Sequence, residues 1–318
     1  MLEPTSGRVT HTQDLAISSD GRKCLSCYGG NDAGWWGLSL PPTQQATEVS
    51  GLDGYAEYVA MSHDGMRLVL GSGCEVQVCD AVSEDSRQLG GVPDAVELDS
   101  EGIGRMGISG VSCLDITGDG KYAAAGGRQH TTAASGSQPT RAWLCVWDLE
   151  EGRPAPLAVT NLPEGQAPRA LSVSSDGHWV TAITDRDEAW RWEVGSKVLE
   201  IPVALDHAGF IGQSSIPSDG HTAVACKSRQ VQVWDLTTGT LEGHTEHVHT
   251  AGNSADGWRA VSGGDDCLFK VWDLEFRTCL ATLQGHKTAV LQAALSADGK
   301  HVVSATFTGV MRVWQLSV

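Results

Sequence analysis

The chain has 318 residues, 38 of them glycine and nine of them cysteine, and a formal net charge of −17. That balance argues against nucleic acid as the main ligand, since phosphate binding needs a local excess of Lys and Arg. No window approaches the roughly 18 apolar residues of a membrane-spanning helix. The start MLEPTSGRVTH has no signal-peptide core, so the expected compartment is cytoplasmic and reducing.

Asp-Gly turns mark seven units in chain order, at Asp20-Gly21, Asp64-Gly65, Asp119-Gly120, Asp176-Gly177, Asp219-Gly220, Asp256-Gly257 and Asp298-Gly299. Their start-to-start spacings are 44, 55, 57, 43, 37 and 42 residues, against the roughly 40–45 of a four-stranded propeller blade. Short alternating runs such as Trp258–Ser262 and Leu268–Trp272 follow the turns and predict antiparallel meanders.

In the first unit, the turn Gly29–Gly34 reads as two residues longer than usual and leads into Trp35-Trp36, with Leu38-Ser39 where later units carry Trp and an acid. Cys24-Leu-Ser-Cys27 has CxxC spacing, but three residues apart on a strand the two side chains face opposite sides. With no second pair or His partner following, buried reduced thiols are the simpler reading.

The second unit closes in Cys79-Asp80, and 40 residues then separate Cys79 from Asp119 where 22 to 29 is usual. This insertion, 81–110, is expected to be an acidic loop bearing Glu84, Asp85, Asp94, Glu97, Asp99 and Glu101. In the third unit Asp119 and Trp147 are 28 residues apart instead of 15 or 16. The excess is the polar segment 128–141, with Arg128, His130 and Arg141, expected as a loop between the second and third strands.

The sixth and seventh units align best: GHTEHVHTAGNSADGWRAVSGGDDCLFKVWD from Gly243 and GHKTAVLQAALSADGKHVVSATFTGVMRVWQ from Gly285. A Gly-His start, a Ser-x-Asp-Gly turn and a strand closing in Trp-Asp, as at Trp147-Asp148, Trp234-Asp235 and Trp272-Asp273, resemble the WD40-repeat family. The resemblance covers the whole chain and implies one all-β domain over 1–318: a seven-bladed β-propeller of four-stranded antiparallel blades. Gly7 precedes Gly21 by 14 residues, as Gly285 precedes Gly299, so residues 2–6 are expected to close the ring as the outer strand of the last blade.

The resemblance further implies that His244, Ser262, Asp266 and Trp272 form a buried structural tetrad rather than a catalytic triad. His286, Ser304 and Trp314 repeat most of it, with Thr308 replacing the acid. His247 and His249 should point away from the apolar positions, open to metal binding, partner contact or plain exposure. There is no Walker loop and no HExxH, and neither a cofactor nor a catalytic residue is expected.

The two insertions should converge on one face of the disc, joined there by Trp35 or Trp36 and by His247 and His249. Two readings stand: unconstrained loops, or a face that binds a protein or peptide with basic side chains, since aromatic and carboxylate groups recognise Lys and Arg. The expected function is a non-catalytic interaction scaffold, monomeric by itself within a complex. The alternatives are a sensing or docking subunit of a larger assembly, and a small-ligand binder or enzyme using the central channel.

Overall fold

Each Ser/Thr-x-Asp-Gly segment described in the computed structural model folds into the same closed turn. The structure describes residues 12–28, 32–37, 46–48, 56–90 except 74 and 84, 110–130, 140–150, 155–200 except 164–165, 175, 187 and 197–198, 214–215, 223–234, and 239–316 except 307 and 309. In the sixth unit, Ser254 Oγ donates to Asp256 Oδ1 at 2.5 Å and accepts the Arg259 amide at 3.0 Å, while Asp256 Oδ1 accepts the Trp258 amide at 3.1 Å. The turns at Ser18, Ser62, Thr117, Ser174 and Ser296 repeat these bonds. At Asp176 the Ser174 hydroxyl and the His178 amide hold the carboxyl below the usual carboxylate range. The glycine that follows has φ between 64° and 73° in all six turns, the left-handed region where a side chain costs about 1–2 kcal/mol.

The described strands form seven antiparallel sheets in which consecutive strands pair. Their inner strands are Thr12–Ile17, Tyr58–Met61, Gly110–Ile116, Pro168–Val173, Ser214–Ser215, Val248–Asn253 and Val290–Leu295. Six sheets have four strands, and the last has three, ending in Met311–Gln315. The expected closing strand, residues 2–6, lies outside the described residues.

Neighbouring sheets pack face to face in cyclic order. Leu25 and Cys27 of the first meet Val59, Leu68 and Leu70 of the second; Trp143 and Trp147 of the third meet Val69, Val76 and Val78 of the second. Leu144 and Val146 meet Val180 and Trp192 of the fourth. Pairs five–six and six–seven share similar clusters, and the inner strands of the fourth and fifth sheets are adjacent. The cycle returns to its start: Leu15, Ile17 and Cys24 of the first sheet pack on Val303, Ala305 and Met311 of the seventh. An isolated sheet would leave one apolar face wet, and radial stacking buries both.

The CxxC pair fits the strand geometry. Cys24 faces the seventh sheet and Cys27 the second, both fully buried, and burial pushes the Cys24 thiol up to about 12. Such thiols are poor thiolate ligands or redox groups.

A second layer of contacts ties five of the six described turns to a neighbouring sheet. Lys23 Nζ donates to the Gly65 carbonyl at 3.1 Å, Arg67 Nη1 to Gly120 at 2.7 Å and Arg259 Nη1 to Gly299 at 3.0 Å. The ring of Tyr122 occupies the corresponding place over Gly177, and His301 of the last sheet that over Gly21 of the first. These turns and the third-to-outer-strand connections share one side of the disc, here the turn face. Second-to-third-strand hairpins and the links between sheets share the other, the insertion face.

A Cβ on Gly177 would lie 2.6 Å from Tyr122 Cδ2, whereas one on Gly195, also at positive φ, would meet nothing within 4 Å. Gly177→Ala is therefore expected to cost more than 2 kcal/mol and Gly195→Ala only about 1 kcal/mol. Urea unfolding of both variants measures this, and equal losses would remove the neighbour contact as the cause.

Candidate functional site

The sixth sheet holds the expected buried tetrad. His244 Nδ1 lies 2.8 Å from Asp266 Oδ2, His244 Nε2 lies 2.8 Å from Ser262 Oγ, and Trp272 Nε1 donates to Ser262 Oγ at 2.8 Å. The donors and acceptors close only with a neutral imidazole. Ser262 accepts the indole proton and donates to Nε2, and Nδ1–H donates to Asp266. Burial, opposed by Asp266, holds the His244 pKa below the ordinary value. Asp266 also accepts the amides of Thr245 and Leu268, so the acid is a structural hub. Ser262, fully buried with its hydroxyl engaged on both sides, is not placed as a nucleophile.

The seventh sheet repeats the set without its acid. His286 Nε2 lies 2.7 Å from Ser304 Oγ and Trp314 Nε1 donates to Ser304 Oγ at 2.8 Å, but His286 Nδ1 is buried without a partner. Thr308, in the place of Asp266, is exposed and bonds Thr306 instead. Burial and the nearby Arg312 push the His286 pKa down to about 4. In the third and fourth sheets the closing tryptophans find main-chain acceptors, Trp147 the Gly90 carbonyl and Trp192 the Ser196 carbonyl, and Trp190 donates to Gln166, which in turn donates to Glu188.

The insertions differ from expectation in three ways. First, the segment 81–110 is not one loop. Residues Ser86–Leu89 are the outer strand of the second sheet, and Asp80–Asp85 is the turn leading into it, closed by Asp80 N–H to the Asp85 carbonyl at 2.9 Å. Asp85 therefore lies on the turn face. The chain needs a fourth strand to cover the third, and the spacing count missed it. Glu84, Asp94, Glu97, Asp99 and Glu101 lie outside the described residues.

Second, both ends of 128–141, at 128–130 and 140–141, are strand rather than loop. The second and third strands of the third sheet, Tyr122–His130 and Thr140–Asp148, run nine residues each. Arg128 pairs with Ala142, Gln129 with Arg141 and His130 with Thr140. The hairpin projects from the insertion face, and Arg128 Nη2 contacts Asp185 Oδ2 of the fourth sheet at 2.6 Å. A partly exposed pair of this kind contributes about 0.2–1 kcal/mol. Arg141 is exposed.

Third, the first unit is not lengthened. Trp36 pairs with Cys24 and Gly37 with Lys23, the register in which Trp272 pairs with Ala260 and Asp273 with Arg259. Trp36-Gly37, not Leu38-Ser39, thus occupies the closing position, and Trp35 precedes it on the same strand.

His247 is exposed and His249 half-buried, with ring centroids 5.1 Å apart. His249 Nε2 lies 2.7 Å from Asp265 Oδ1. Among the described residues no group of three or more His, Cys, Asp or Glu is placed to hold a metal ion.

His249 belongs to a set whose other members the sequence reading passed over. The register between inner and second strands slips at one place in five sheets, skipping Gln13, Ser112, Arg169, His249 and Leu291. Each is a β-bulge residue, re-aimed out of the ladder. Each stands seven positions before the Asp of its Asp-Gly turn, as does Glu57 in the second sheet. That fixed offset, directly after a buried residue such as Val111, Pro168 or Val248, was the available signal. Four of the five line a central cavity of about 670 Å³, with Arg128 and Gln292.

Comparison with known proteins agrees with this architecture. The WD40 family model, described as WD domain, G-beta repeat, matches residues 237–273 and 277–315. The nuclear distribution protein PAC1 of Arthroderma otae is 33% identical over 96 residues, covering 26% of this chain and 21% of that protein. Anaphase-promoting complex subunit cdc20 of Dictyostelium discoideum is 29% identical over 111 residues, covering 33% and 22%. THO complex subunit 6 of Homo sapiens is 28% identical over 115 residues, covering 32% and 34%. The chain thus matches between about a fifth and a third of the length of these relatives.

The incomplete set in the seventh sheet gives a pH test. His286 is held neutral in the fold, so the unfolded chain binds the extra proton. The stability this provides is complete above the ordinary pKa of 6.5 and is lost as pH falls toward about 4. Thr308→Asp offers Nδ1–H an acceptor and favours the charged ring. It is expected to add about 1 kcal/mol at pH 7 and to flatten the loss between pH 6.5 and 4.5. Parallel stability profiles for the two proteins would show that the acid does not reach the histidine.

Proposed function

We propose that this chain, which belongs to the WD40-repeat family, is a non-catalytic scaffold that binds a protein or peptide partner through its insertion face. The observation that carries this reading is the convergence of two features there: the long strands of the third-sheet hairpin, which reach His130 and Thr140, and the rung of bulged side chains around the channel mouth. Hairpin ends and bulges are where a rigid β scaffold presents variable groups to a partner. The buried Ser–His–Asp set, used up by its own hydrogen bonds, speaks against hydrolysis as the alternative. A net charge of −17 and the carboxylates of the inserted segments favour a partner rich in Lys and Arg.

Two relatives are named as subunits of complexes, which favours a place for this chain as a docking subunit within a multiprotein assembly, as a single copy. Buried thiols at Cys24, Cys27, Cys79, Cys113, Cys145 and Cys226 favour a reducing, intracellular setting.

The test is affinity capture from lysate with wild type, a variant shortened across 91–109 and 131–139, and the bulge variant Arg169→Ala/His249→Ala. A partner specific to this face should fall at least about tenfold with both variants, while a turn-face control, Trp258→Ala, should recover it as wild type does. Undiminished recovery by both insertion-face variants would remove this surface as the binding site.

A further inference from the structure

The turn face carries an aromatic patch on the sixth sheet. Among the described residues, Trp258 and Phe276 are the aromatic members of the exposed large apolar set, 56% and 69% accessible. The chain brings them to one edge of the sheet. The Leu274 amide donates to the Trp258 carbonyl at 2.9 Å, and two residues on the Phe276 amide donates to Asp273 Oδ1 at 2.8 Å.

Neither side chain is needed by the fold at its place. The carbonyl after the turn glycine accepts the corresponding amide in four other sheets, from Met66, Lys121, His178 and Lys300. The same main-chain bond thus forms under a thioether, two ammonium groups and an imidazole. A tryptophan there adds only wet apolar surface, and tryptophan is a residue type that anchors interfaces.

The surroundings favour a cation as its cover. Trp179, beside the turn of the fourth sheet, is covered within the chain by the Arg191 guanidinium, 4.2 Å from the ring centroid. Among the described residues no Lys or Arg stacks on Trp258 or Phe276. The carboxylates of Asp256 and Glu275 flank the two aromatics in sequence, both exposed. Neither is in an ion pair among the described residues. The cations of the same sheet edge are engaged: Arg259 donates to the Gly299 carbonyl at 3.0 Å, and Arg277 is half-buried with a partner of its own.

We propose that this patch docks an arginine-bearing segment of a partner protein. The guanidinium lies on Trp258 and pairs with Glu275 or Asp256, and an apolar neighbour in the segment covers Phe276. Arginine suits the place better than lysine, because its planar fork both stacks on a ring and reaches carboxylates. The patch is on the side of the disc opposite the insertion face, so it does not rest on the scaffold reading.

The probe is a fluorescein-labelled peptide, Gly-Arg-Leu-Gly-Arg-Leu-Gly, beside one with citrulline, the neutral isostere, at both arginines. Fluorescence anisotropy follows each into the full chain, Trp258→Ala, Phe276→Ser and the insertion-face variant Arg169→Ala/His249→Ala. The arginine peptide should bind the full chain saturably, with the citrulline peptide at least about fivefold weaker. Trp258→Ala and Phe276→Ser should each weaken the arginine peptide at least about fivefold with net charge unchanged, while the insertion-face variant binds as wild type does. Thermal unfolding checks that the variants fold, and Phe276→Ser supplies the readout should Trp258→Ala fail to. No saturable binding, equal binding of the two peptides, undiminished binding by the folded turn-face variants, or a loss confined to the insertion-face variant would each overturn the assignment. Sedimentation of the free chain tests the other occupant: a dimer split by Trp258→Ala would give the patch to a second copy instead.

Discussion

The closed Ser/Thr-x-Asp-Gly turn is the constraint on which this molecule depends. Within a sheet, one hydroxyl and one carboxylate satisfy the amides at the start of the second strand and fix where the inner strand ends. Between sheets, the left-handed glycine leaves room for Lys23, Arg67 or Arg259 to reach a neighbour's carbonyl, and for Tyr122 or His301 to lie over the turn. A local hydrogen-bond pattern thereby becomes the spacing rule between sheets. A Cβ at Gly21, Gly65, Gly120, Gly177 or Gly299 meets both backbone strain and a neighbouring side chain.

Around this common frame the polar interior is uneven. The sixth sheet has a complete chain from indole through serine and imidazole to carboxylate, with the acid also binding two amides. The seventh stops at the imidazole. The third and fourth use main-chain carbonyls, of Gly90 and Ser196, in place of the serine. Because a buried donor without a partner costs more than an average hydrogen bond contributes, these substitutions set where the ring is stiff and where it is soft.

The inner strands show the same division on a finer scale. Their buried residues are fixed by packing between sheets, while the bulge at the same rung turns one residue toward the axis in four of the sheets. Gln13, Ser112, Arg169 and His249 differ in charge and size without disturbing the ladder. A site can be written there at little cost to the fold.

Sequence alone determined the repeat, the all-β class, the tetrad at His244, Ser262, Asp266 and Trp272, and the opposite facing of Cys24 and Cys27. These follow from local periodicity: two residues per strand repeat and about forty per sheet. The sequence reading put Leu38-Ser39 at the closing position of the first unit, because it took the Gly29–Gly34 turn as two residues longer, and only strand pairing selects Trp36. It also merged Asp85 with the rest of the insertion, because an outer strand as short and polar as Ser86–Leu89 carries almost no apolar signal. Which bulged residues meet at the axis, and that Gln292 donates to the Gln13 carbonyl, was decided only by the tertiary structure. Those residues are up to 279 positions apart along the chain, and closing the cycle is what makes them neighbours.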